Sequence, residues 1–224
     1  MNFTKRITWL TIFSIAMGFM ETVIVVYLRK IYYPNGFEFP LVGMDMDIMK
    51  AEILREAATL IMLVGIGILT SKTASEKFAF FIFSFAIWDI FYYVFLKVLL
   101  NWPESLFTWD ILFLIPVPWV GPVLAPCIVS LTMIVLAYTI IHYSNKGYNT
   151  RIKRREWWMY IAGSLTIILS FSMDTMKFIS LSPESAATAV PSVYDWWIFW
   201  VGELIIASGI ILFVKRMKNN DVSG

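Results

Sequence analysis

Six apolar stretches of about twenty residues govern what this chain can become: 7–28, 51–70, 78–100, one within 111–141, one from 157 to at least 173, and 196–214. Roughly twenty helical residues at about 1.5 Å each cover the ~30 Å hydrocarbon core of a bilayer. Composition agrees. The chain is 59% hydrophobic and 15% charged, whereas a soluble domain carries about 25% charged residues to solvate its surface. An all-α, polytopic membrane bundle of about six transmembrane helices is expected, a single transmembrane domain over 1–224 in the cell membrane. The first stretch contains Glu21 and is followed by Arg29 and Lys30 rather than by a small-residue cleavage site, so it reads as a retained helix and not as a secretory signal.

Cations set the orientation. With six crossings, the side that holds both termini receives twelve of the 18 Lys and Arg, including the dense run at 146–155, and the other side receives six. Cytoplasmic segments retain the excess of Lys and Arg, so both termini are expected in the cytoplasm.

The acidic residues show the opposite bias. Glu21 and Glu203 fall in the outer halves of their helices, Asp89 falls near a midplane, and Glu52, Arg55 and Glu56 share the outer end of the second helix. Asp110 and Asp174 lie near the outer boundary. A charge at bilayer depth costs at least about 2.5–3.5 kcal/mol, so these side chains are expected to face the bundle interior or a wet cavity, with partners. Spacing supplies some of them: Arg55 is i+3 from Glu52, and Asp89, Tyr93 and Lys97 form a stripe at i, i+4 and i+8. Ser14, Gly18 and Glu21 form another, whose small residues admit a close helix. The acids outnumber the nearby cations Arg55 and Lys97, so some carboxylates must take a proton, bind a cation or face water.

The candidate polar site is therefore Glu21, Glu52, Arg55, Glu56, Asp89, Tyr93 and Glu203, with Asp110, Asp174, Lys97 and Trp88 as secondary members. Glu21, Glu52, Glu56 and Asp89 are candidate ligands for a divalent metal.

Pro116, Pro118, Pro122 and Pro126 forbid one continuous helix over the fourth stretch. Residues 111–117 are expected to form an outer-surface or re-entrant piece, tolerated at depth only where it is buried in protein or lines a cavity. Outer-boundary Trp and Tyr residues read as an interfacial belt. The single histidine, His142, and single cysteine, Cys127, exclude a bis-histidine haem or a Cys-rich metal site. No phosphate-binding glycine motif is present, so no nucleotide is expected, and a net charge of +2 gives no reason to expect nucleic acid.

Two functions compete. The acids can bind a cation or proton in a small transporter or transport-complex subunit, although the inner half offers almost no polar path. Alternatively they serve a membrane enzyme, through a metal or a carboxylate pair such as Asp89 with Asp174, on a lipid-like substrate at the outer leaflet. A non-catalytic subunit of a membrane complex is the third reading. Membrane lipid and a small ion or lipid-like substrate are the expected partners, and a homo-oligomer fits the same composition.

Overall fold

The computed structural model describes residues 3–179, 190–191 and 193–221. Six helices are long and apolar enough to cross a membrane: α1 (Phe3–Tyr32), α2 (Met46–Thr70), α3 (Ala74–Leu100), α4 (Leu124–Asn145), α5 (Arg154–Ile179) and α6 (Trp196–Asp221). Their even number returns the chain to the face on which it started. The opposite face is called outer here, after the cation distribution. Large apolar side chains stand exposed around the bundle, among them Leu54, Ile61, Leu69, Val98 and Leu204. In water that surface would be an aggregation hazard, whereas against lipid tails it is solvated.

Several helices run past the apolar stretches because their ends are capped. Asp45 accepts hydrogen bonds from the backbone N–H groups of Asp47 and Ile48, and Thr73 accepts one from Glu76. Glu156 reaches back to the Lys153 N–H at 2.7 Å. These bonds satisfy first-turn donors that have no partner within the helix.

The helices pack as two groups. α3 is the hub of the first, touching α1, α2 and α4, while α5 and α6 pair with each other and meet the rest through α4 and the 109–122 segment. Small residues let backbones approach. A Cβ on Gly18 would lie 2.9 Å from the Trp88 carbonyl oxygen of α3, and Thr22, one turn on, donates to the Tyr92 carbonyl at 3.2 Å. Ser14, Gly18 and Thr22 thus face α3, whereas Glu21 turns toward α2. Gly163 and Gly202 meet reciprocally, each with the other's carbonyl 2.7–2.8 Å from where its Cβ would be.

Among the described residues the chief departure from helix is a two-stranded antiparallel hairpin, β1 (Trp109–Phe113) and β2 (Trp119–Pro122), pairing Asp110 with Gly121. It covers the outer-surface or re-entrant piece expected around 111–117, with strand pairing that the prolines did not announce. Pro116 and Pro118 sit between the strands, Pro122 ends β2, and Pro126 falls in the first turn of α4, where no intrahelical N–H bond is lost.

The glycine contact between α5 and α6 generates a prediction. Gly202→Val, which drives a side chain into the Gly163 carbonyl and Ile167, costs about 1–3 kcal/mol by overpacking. Gly65→Ala on α2, with nothing within 4 Å of the added Cβ, gains up to about 1 kcal/mol of helix propensity. Denaturant unfolding in detergent checks both; equal stability of the two variants contradicts the packing.

Candidate polar chamber

The hairpin folds into the outer end of the bundle and is held from several sides. Arg29, near the end of α1, donates to Asp110 of β1 at 2.9 Å, with both side chains almost fully buried. The Arg29 guanidinium lies over the rings of Trp102, at 3.6 Å, and Phe37, at 4.5 Å, so aromatic faces replace the water it gives up. Glu56 of α2 accepts the Leu114 backbone N–H at 3.0 Å, and Thr175 of α5 donates to the Pro118 carbonyl at 2.6 Å. Trp119 stacks on Phe171 and Trp109 packs edge-on to Tyr194. The irregular backbone is thereby given protein partners, the condition for tolerating it near a bilayer.

Below the hairpin is a chamber of about 120 Å³ between α1, α2, α3 and β1. Five carboxylates line it, Glu21, Glu52, Glu56, Asp89 and Asp110, against two guanidiniums, Arg29 and Arg55. Arg55 bridges α1 to α2, donating to Glu21 and, at 2.8 Å, to Glu52. Three of the five carboxylates are therefore paired with arginine. The other two take neutral donors: Glu56 accepts the Leu114 N–H, and Asp89 accepts the Ser130 hydroxyl at 2.8 Å. Neither makes an ion pair among the described residues.

The structure brings Glu21, Glu52, Arg55, Glu56 and Asp89 to one chamber, together with Asp110 and Trp88. Tyr93 is buried behind it with its hydroxyl toward Asp110. Lys97 does not pair with Asp89; it turns out to the carbonyls of Asn101 and Pro103, where its ammonium reaches the boundary. Asp174 is matched with Lys177 at 2.9 Å, so Asp89 and Asp174 take separate partners. Glu203 belongs to a second, deeper cavity, where the Thr132 hydroxyl donates to it at 2.7 Å. No group of three or more His, Cys, Asp or Glu among the described residues is arranged to hold a metal ion. Two of the four expected metal ligands, Glu21 and Glu52, face the Arg55 cation instead.

Sequence reasoning missed Arg29, which reads as a flanking cation. Its signal was present: an arginine on the face poor in cations, one helix end away from a boundary aspartate and several aromatic rings.

Comparison with known protein families, with curated proteins and with solved structures gave no match.

Proposed function

We propose that this integral membrane protein is a small cation- or proton-coupled transporter, or the ion-handling subunit of a transport complex, in the cell membrane. Glu56 and Asp89 are its exchange groups. One observation carries the reading: these two carboxylates line the outer chamber with neutral hydrogen-bond donors alone, while their three neighbours are held by arginine. A carboxylate with an arginine partner has its counter-charge fixed. One with only an N–H or O–H partner in a place poor in water requires a mobile counter-charge, a proton or a cation.

A metal-assisted enzyme at the outer leaflet fits less well, because it would draw on Glu21 and Glu52, which are engaged with Arg55.

Flux measurements test the proposal. Wild-type protein in liposomes loaded with a pH-sensitive dye is expected to move protons under an imposed potential faster than protein-free liposomes, at a rate dependent on the cation supplied. Glu56→Gln and Asp89→Asn fall to the protein-free rate, whereas Glu104→Gln, on an exposed outer loop, does not. Wild-type flux in both chamber variants, or none above background in the wild type, overturns the reading.

A further inference from the structure

The second cavity is larger than the first and chemically different from it. It occupies about 400 Å³ between α3 and α4 on one side and α5 and α6 on the other, roofed by Leu112, Phe113 and Trp119 of the hairpin. Volumes of about 300–1,000 Å³ with mostly apolar walls and a few polar groups are those of sites for small organic ligands. The walls are rich in aromatic rings, among them Phe81, Phe85, Trp88, Trp119 and Phe171. Among the described residues no Lys, Arg or His lines the cavity, and the carboxylates that do are Asp89 and Glu203.

Glu203 is the informative side chain. It is only 6% exposed, its Oε2 accepts the Thr132 hydroxyl, and its Oε1 has no hydrogen-bond partner among the described residues. An unmet buried acceptor is destabilising, and more so when it is charged. A single water is a poor answer, since an ordered water needs two to four polar partners and most of this wall is hydrocarbon. Carboxylates repel an anion, and π-faces with acidic groups attract a cation, most strongly where water is excluded.

We propose that this cavity binds an amphipathic organic cation, its positive charge at Glu203 with Asp89 as second anchor and its apolar body against the aromatic rings. A hydrophobic ammonium or phosphonium is the ligand class. Its charge replaces the missing partner of Glu203, and its body fills space that neither water nor an inorganic ion can fill favourably. The site is independent of proton flux through the outer chamber, so a protein without flux would leave it standing. If both hold, Asp89, common to the two walls, couples ligand charge to the exchange group above.

Charge discrimination at constant shape provides the test. Full-length protein in nanodiscs is titrated with tetraphenylphosphonium, with the isosteric anion tetraphenylborate and with neutral triphenylphosphine oxide, following tryptophan quenching and subtracting empty nanodiscs. Saturable binding of the phosphonium is expected, with much weaker binding of the other two. Glu203→Gln, nearly isosteric, weakens phosphonium binding by about tenfold or more, and Met133→Trp, which fills the cavity from α4, removes it. Thermal melts establish that each variant is folded, and the comparison of three ligands on wild-type protein stands without any variant. Equal binding of the borate or the phosphine oxide overturns the proposal, as does uptake no greater than that of empty nanodiscs or unchanged affinity in folded Glu203→Gln.

Discussion

The buried pair of Arg29 and Asp110 is the contact on which the outer half of the bundle depends. It ties the end of α1 to the first strand of a hairpin that would otherwise offer lipid an open edge and unsatisfied carbonyls. Buried ion pairs are weak sources of net stability because desolvation consumes most of the Coulombic gain. This one acts by fixing position. With Asp110 held, Leu112 and Phe113 stand as the wall between the polar chamber and the apolar cavity, and both spaces are bounded by the hairpin folded in among the helix ends.

The same constraint explains the division of labour among the acids. Glu21 and Glu52 hold Arg55, which joins two helices whose backbones scarcely touch. Glu76 and Glu156 serve the face of the termini: Glu76 accepts the Ser71 and Ser144 hydroxyls, and Glu156 takes a two-pronged contact from Arg216. Asp89, Glu56 and Glu203 make no ion pair among the described residues. All three lie inside the membrane-spanning segments with neutral donors, the condition under which a carboxylate is of use for something other than packing.

Much of this was legible in the residues. Runs of apolar residues determine the number of helices, because length at fixed rise is set by the bilayer. Gly18 announced a close approach, and Arg55 with Glu52 at i+3 and Glu21 at similar depth announced the bridge. The hairpin was only half legible: prolines forbade a helix, but the pairing of Asp110 with Gly121 depends on Tyr194, Phe171 and Arg29, which are distant in sequence. Lys97 shows the limit of spacing arguments. It shares a stripe with Asp89, yet two turns of helix separate them, and a long side chain near the boundary gains more from carbonyls and water than from a carboxylate at depth. Glu203 could be placed by depth, but not by cavity, because that requires knowing how α4 faces α6.

The central claim is that the outer-half carboxylates fall into two kinds, those fixed by arginine and those free to exchange. Infrared difference spectra of the protein in nanodiscs, recorded as external pH is stepped across the neutral range, test it directly. Carboxylic-acid carbonyl bands are predicted to appear and to be lost separately in Glu56→Gln and in Asp89→Asn, with none lost in Glu52→Gln. Bands that persist in both exchange variants, or that vanish with Glu52, would contradict the division.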